Sequence, residues 1–251
     1  LVQTLAAGPD HLLSIGFNKN IKLASGKGLH DKTVTEHILA LLLHSIRNFG
    51  ELSKSQNNHY WNQNFVNAQS NEPTNNLYTL NGNSILIIGF GSIAKNLAPI
   101  LRALGANVTG VGKTSGVIDD TRIINHSEMM EELHRYLVVI SLLPYTKDTE
   151  KYFDDNFFSK MDKKSIFINC GRGKTLDENA LYNALTKQTI RMAAIDVTYT
   201  EPLSRESTLW DLKNLFITPH VAGGRPLNAE DLILFNARAL LNNSPIKNLI
   251  S

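Results

Sequence analysis

From residue 84 onward, short apolar runs at 85–88, 107–111, 137–141, 165–169, 192–196 and 214–217 alternate with helix-length stretches at 92–104, 127–134, 151–160 and 177–186. The runs are apolar at nearly every position rather than every second one. That pattern belongs to strands covered on both faces, and strands separated by helices pair in parallel. The spacing therefore predicts an α/β chain built on a Rossmann-type doubly wound parallel sheet. It shows neither a solenoid-length repeat nor a low-complexity tract.

Ahead of this frame lie a short strand over 1–5, a Gly-Pro turn, a small helix near 10–15 and a strand over 21–24. This is too little to bury a core of its own. Next comes "TVTEHILALLLHSIRN", in which Thr33 and Glu36 have capping-box spacing. Val34, Ile38, Leu41, Leu42 and Ile46 recur at helical intervals, and Leu39 and Leu43 fill a second face. Such a helix is expected between layers or subunits, or as a plain core helix. Residues 51–83 are rich in Asn, Gln and Ser around Tyr60, Trp61 and Phe65. They read as an arm on a partner subunit or as a surface loop containing a helix. The tail, 227–241, reads as a last helix, and Trp210 as a packing residue.

The chain has 251 residues and a net charge of +2, with Lys and Arg scattered, so neither a nucleic-acid surface nor a polybasic membrane patch is expected. The longest apolar run, Ile38 to Leu43, falls far short of a membrane span. A single cysteine, Cys170, fits a reducing, cytoplasmic compartment. No signal peptide is read, and a first residue of Leu1 leads us to expect that the natural protein begins earlier. No metal-ligand spacing appears, so no metal is expected.

"SILIIGFGSIAKNLAPILRALGANVTGV" carries the sharpest local signal. A strand ends in Gly89-Phe90-Gly91-Ser92-Ile93-Ala94, and a helix opens there. Gly89 suits the tight turn, and Gly91 lets backbone approach a pyrophosphate. Ser92 and Ile93 open the helix, whose N–H groups and positive dipole end face the anion. A second strand then ends in "GVGKTSG". Gly112 occupies the place of the acidic residue that holds a ribose 2′-OH, and Lys113, Thr114 and Ser115 follow. An ammonium and two hydroxyls without a carboxylate suit a 2′-phosphate, at about 1.5–3 kcal/mol per charge-assisted contact. NADP(H) is thus slightly favoured over NAD(H).

Three later segments, "FINCGRGKTLDENAL", "AAIDVTYTEPL" and "FITPHVAGG", sit at strand ends, where such sheets open on their ligand crevice. Arg172, Asp196, Glu201 and His220 should converge there. "NCGRG", "AAIDVTYTEPL", "LW" and "TPHVAGG", in this order, resemble the D-2-hydroxyacid dehydrogenase family. "LLPYTKDTEKYF" and "TVTEHILALLL" fit the same family.

The resemblance implies an oxidoreductase moving a hydride between NAD(P)H and a small 2-keto or D-2-hydroxy acid, of the glyoxylate and hydroxypyruvate type. It implies that His220 is the general acid, that Glu201 orients its ring and favours the imidazolium, and that Arg172 forks onto the substrate. Backbone N–H groups of Ala7 and Gly8 would receive the carboxylate. Leu143, Pro144, Thr149, Cys170, Gly171, Asp196, Ala222 and Gly223 would line the cofactor, with Ala222, Gly223 and Gly224 leaving it room. Cys170 packs there rather than acting as a nucleophile. Pro9 departs from the family pattern and removes an N–H from the carboxylate turn.

The resemblance also implies three segments. Residues 1–29 would be the end of a flavodoxin-like substrate domain, whose family counterpart starts several dozen residues earlier. Residues 30–225 would be the dinucleotide-binding domain, and 226–251 a helix returning to the substrate domain. A homodimer is expected, with the 33–48 helix and the arm as its surface. Two alternatives stay open: a 3-phosphoglycerate dehydrogenase, and a dinucleotide-sensing corepressor-like binding protein that does no turnover.

Overall fold

The computed structural model describes residues 1–8, 13, 15–18, 20–71 and 79–250. Two short strands, β1 (Val2–Gln3) and β2 (Leu23–Ala24), pair in parallel. Three helices follow: α1 (Asp31–Ile46), α2 (Phe49–Asn57) and α3 (Gln63–Asn71). The main sheet then begins with β3 (Ser84–Ile88), α4 (Ser92–Ala103), β4 (Asn107–Val111), β5 (Gly116–Ile118), β6 (Thr121–Ile124) and α5 (His126–Glu132). It continues through β7 (Val138–Ser141), α6 (Asp155–Ser159), β8 (Ile166–Asn169), α7 (Glu178–Thr186), β9 (Met192–Ile195) and β10 (Leu215–Ile217). Helix α8 (Ala229–Leu241) comes last.

The eight strands lie in the order β10-β9-β8-β7-β3-β4-β6-β5, parallel throughout except for the β5–β6 pair. The strand order reverses between β3 and β7, and such a switch point opens a ligand crevice beyond the carboxyl ends. The continuous apolar runs follow from the two covered faces. Ile85 and Ile87 point into a core shared with Ile38, Leu42, Ile46, Leu97 and Leu101 of α1 and α4. Leu86 and Ile88, one residue out of step, point into a second core with Phe153, Phe157, Phe158, Phe167 and Leu181. There Phe153 and Phe157 meet edge to face at 4.9 Å, and Phe153 and Phe167 lie tilted at 5.0 Å between centroids.

Several expectations need correction. The sequence reading missed β5 and β6. They form a hairpin whose two turn residues, Asp119 and Asp120, hold φ of 47° and 58°. That is the left-handed pair a two-residue primed turn demands. Lys95 reaches Asp119 at 3.1 Å and holds the turn to α4. Helix α1 starts two residues before Thr33, with His30 at its N-cap, and Thr33 and Glu36 form no capping box. The Thr33 hydroxyl donates instead to the carbonyls of His30 (3.1 Å) and Gly223 (2.6 Å). Helix α1 is a core helix with Leu43 left exposed. The stretch expected as helix at 151–160 is helical only over Asp155–Ser159, because Asp154 caps Phe157 N–H at 2.8 Å. Trp210 is half-exposed, its indole N–H donating to the Ser204 carbonyl at 2.9 Å. The small helix expected near 10–15 and the Pro9 turn fall largely outside the described residues.

The two ends of the chain meet. Ser25 N–H donates to the Asn248 carbonyl and Ile250 N–H to that of Leu23. The fully buried Asn236 of α8 bonds Gln3 Oε1 at 2.6 Å and the Lys247 backbone at 2.8 and 3.1 Å. No helix among the described residues is long and apolar enough to cross a membrane.

Phe153 is fully buried at the centre of the ring cluster. Phe153→Ala should cost about 3–5 kcal/mol of unfolding free energy, read from the denaturant midpoint. A loss below about 1 kcal/mol would mean that the second core closes without it.

Candidate active site

The loops leaving the carboxyl ends of the strands enclose a cavity of about 730 Å³. Segments far apart in the chain meet in its wall: Ala7 and Gly8, Ile93, Cys170 to Lys174, Asp196 to Glu201, and His220 to Gly224. Arg172, Asp196, Glu201 and His220 thus converge as expected.

His220 lies just past β10 with φ of 53°, a left-handed conformation that costs a non-glycine residue on the order of 1–3 kcal/mol. Asp196, at the end of β9 and 1% exposed, holds it there. The Asp196 carbonyl accepts His220 N–H at 2.7 Å. Its carboxylate accepts the Thr218 hydroxyl at 2.6 Å, Val221 N–H at 3.0 Å and Ala222 N–H at 2.9 Å. His37 of α1 backs the arrangement, its Nε2 lying 3.0 Å from the Thr218 hydroxyl and 3.4 Å from Asp196 Oδ1. Thr218, His220, Val221 and Ala222 are therefore strung on one buried acid.

The His220 ring meets Glu201, with Nδ1 2.6 Å from Oε2. The other oxygen of Glu201 accepts Thr198 N–H at 3.1 Å, which fixes the carboxylate in turn. Both side chains remain partly exposed, at 50% and 37%, so the pair faces the cavity. Arg172 is half-buried beside it and donates to the Gly171 carbonyl at 3.0 Å. Gly171 and Gly173 are dictated by close packing. A Cβ at 171 would stand 2.6 Å from the Leu143 carbonyl oxygen, and one at 173 only 1.8 Å from that of Thr198. Gly223 has a similar reason, since a Cβ there would approach His30 Nδ1 to 3.3 Å. Gly223 therefore leaves room for His30, which sequence reasoning missed. Cys170 is buried, and burial together with the Asp196 charge pushes its thiol well up, so it packs as an inert group.

The other expected cofactor residues, Gly89, Gly91, Ser92, Gly112, Lys113, Thr114, Leu143, Pro144 and Thr149, lie outside the wall of this cavity. They follow the crevice along the ends of β3, β4 and β7. Gly89 and Gly91 serve different ends. Gly89 has φ of +95°, and a Cβ there would meet the Leu142 carbonyl oxygen at 2.9 Å, so the protein itself demands glycine. At Gly91 a Cβ would meet nothing within 4 Å. No side chain among the described residues caps the helix that Gly91 opens. Open space before an uncapped helix N-terminus is the shape of an anion cradle. The Ser92 hydroxyl donates to Asp31 Oδ1 at 3.1 Å. The Thr149 hydroxyl is taken by the Pro144 carbonyl at 2.8 Å and Thr146 N–H at 2.7 Å.

At the second strand's end the expectation is only partly met. Lys113 and Thr114 are exposed, but the Ser115 hydroxyl donates to Glu128 and accepts Asn125 N–H at 3.1 Å. Glu128 is the third residue of α5 and closes a capping box with Asn125. A carboxylate therefore does stand beside this loop. The Ser115 hydroxyl and Asn125 N–H hold it below the ordinary carboxylate range. Sequence spacing missed it because Glu128 arrives from the far side of the hairpin.

The model of the D-isomer specific 2-hydroxyacid dehydrogenase NAD binding domain matches residues 39–222. The chain belongs to this family. Glycerate dehydrogenase of Methylorubrum extorquens is 32% identical over 194 residues, 76% of this chain and 58% of that protein. Human glyoxylate reductase/hydroxypyruvate reductase is 28% identical over 248 residues, 96% of this chain and 73% of that protein. The solved apo structure of an NADPH-dependent glyoxylate/hydroxypyruvate reductase from Sinorhizobium meliloti superposes with a TM-score of 0.68 at 26% identity. That match covers 78% of this chain and 94% of the other. The chain thus spans little more than half the length of the glycerate dehydrogenase it matches.

The two fingerprint glycines give this dehydrogenase-family chain a paired test. Gly89→Ala should lower stability by about 1–3 kcal/mol, read by thermal unfolding. Gly91→Ala should leave the unfolding midpoint alone and weaken NADPH binding roughly tenfold or more, read by nucleotide fluorescence. Equal effects of the two on both readouts would contradict the division of labour.

Proposed function

We propose that this chain carries the cofactor and proton-donor machinery of an NAD(P)H-dependent reductase of small 2-keto acids, of the glyoxylate and hydroxypyruvate type. The observation that carries the reading is the His220–Glu201 contact at 2.6 Å inside a cavity shared with Arg172 and the Ala7–Gly8 turn. Among the described residues nothing accepts from the Ala7 or Gly8 N–H groups, which leaves two donors for a carboxylate. The names of the human and Sinorhizobium relatives support the same substrate class.

The residues along the crevice fit a dinucleotide: open space at Gly91, an uncapped helix end, and polar groups at Lys113 and Thr114. When bound, the nicotinamide supplies the hydride. The chain does the rest. Glu201 occupies Nδ1 of His220, so Nε2 is left to hand its proton to the carbonyl oxygen of the acid. Arg172 and the turn hold the carboxylate in a fixed plane, a bidentate geometry that a lysine would not reproduce. Asp196 keeps the His220 loop in place, so that the proton would reach the carbonyl oxygen while a bound nicotinamide would supply the hydride to the carbonyl carbon.

Within this reading the exposed Lys113 after the second strand slightly favours NADP(H), while the Glu128 carboxylate beside it works against a 2′-phosphate. The pairing of the termini supports residues 1–29 and 226–251 as one substrate-side unit and 30–225 as the dinucleotide domain. The exposed Phe49, Trp61 and Val66 of the α2–α3 arm, with Leu43, support a homodimer surface.

His220→Ala should lower kcat by roughly 10²–10⁴ and leave the NADPH dissociation constant nearly unchanged. Comparable turnover in that variant would remove the acid–base assignment. Tight NADPH binding without turnover of any 2-keto acid would favour the corepressor-like alternative. Lys113→Asp should shift the preference toward NADH, and an unchanged NADPH/NADH ratio of kcat/KM would separate Lys113 from the 2′-phosphate.

A further inference from the structure

His30, at the head of α1, lines the same cavity as His220 and Arg172. Its Nδ1 lies 2.8 Å from the carbonyl oxygen of Gly223, and its Nε2 lies 2.9 Å from that of Leu5. Gly223 follows the loop that carries His220. Leu5 leads into the Ala7–Gly8 turn. One ring therefore spans from the proton donor's loop to the proposed anion-receiving turn.

Both partners are carbonyl oxygens, which only accept. The surroundings are shaped for this bridge. The Thr33 hydroxyl donates to the same Gly223 carbonyl at 2.6 Å. On the other side a Cβ at Gly26 would fall 2.1 Å from the Leu5 oxygen, so only glycine admits that carbonyl, and Gly26 N–H fixes the Ala6 carbonyl at 2.8 Å. Among neighbouring charged groups, Asp31 accepts from Ser92, while Arg172, Asp196, Glu201 and His220 share the cavity, and His37 is turned to Thr218 and Asp196.

We infer that His30 is a positioning residue, a two-armed clasp that sets the distance between the Ala7–Gly8 turn and His220. The inference rests on the reductase reading for the identity of the anion, and on the two contacts for the clasp itself. Misplacing bound groups by about 1 Å costs on the order of 10²-fold in such sites, so a clasp of this kind governs how well a 2-keto acid is held.

The test uses oxalate, an unreactive planar dicarboxylate, titrated calorimetrically into the NADPH complex of the 251-residue chain. His30→Ala should weaken oxalate roughly 10- to 100-fold, with NADPH affinity within about twofold and the unfolding midpoint barely moved. His30→Asn keeps an amide donor where Nδ1 stood, and His30→Gln keeps one where Nε2 stood. Each holds one arm, and the clasp predicts that both weaken oxalate nearly as much as alanine does. In steady state all three should raise KM for glyoxylate by a similar factor and leave KM for NADPH alone. Wild-type oxalate affinity in any of the three overturns the two-armed clasp. A parallel fall of oxalate affinity, NADPH affinity and unfolding midpoint overturns it too, reducing His30 to a structural residue. If the wild-type chain reduces no 2-keto acid yet binds oxalate through His30, the reductase reading falls and the clasp stands.

Discussion

One buried carboxylate carries the geometry of the candidate site. Asp196 ends β9 inside the protein, and its two oxygens are spent on the loop after β10: the Thr218 hydroxyl, Val221 N–H and Ala222 N–H. Its own carbonyl takes His220 N–H. A carboxylate withdrawn from water is tolerated only when hydrogen-bonded, and each charge-assisted bond contributes about 1.5–3 kcal/mol. Together these bonds outweigh the left-handed strain at His220 and leave its ring one posture, against Glu201.

The sheet beneath makes that posture possible. Parallel strands deliver all their carboxyl ends to one edge, and the two cores hold those ends rigid. Loops from β3, β7, β8, β9 and β10 then crowd together. Glycines 89, 171 and 173 stand where a side chain would strike a neighbouring carbonyl. Close backbone contact between loops lets side chains from distant segments share one cavity.

Much of this was legible in the sequence, and the failures have physical causes. The six main strands could be read because burial on both faces leaves unbroken apolar runs. The β5–β6 hairpin escaped because Asp119-Asp120 lacks the glycine that usually marks a primed turn. The start of α1 was misplaced because Thr33 has the capping pattern but spends its hydroxyl on Gly223, 190 residues away. Arg172, Glu201 and His220 could be proposed together because strand-end position and family motif coincide there, and the three line one cavity. The tethering by Asp196 and the bridge by His30 were not, because their partners are mostly backbone groups, all 22 or more residues distant, which leave no mark in side-chain spacing.

The central claim is that the proposed site holds the keto acid so that hydride reaches a single face of its carbonyl carbon while His220 protonates the carbonyl oxygen. The configuration of the product measures this directly. Hydroxypyruvate reduced with NADPH carrying deuterium at the transferable position should give glycerate labelled at C2 and of a single configuration, the D form, on chiral chromatography. Racemic, L-configured or unlabelled glycerate would contradict the account.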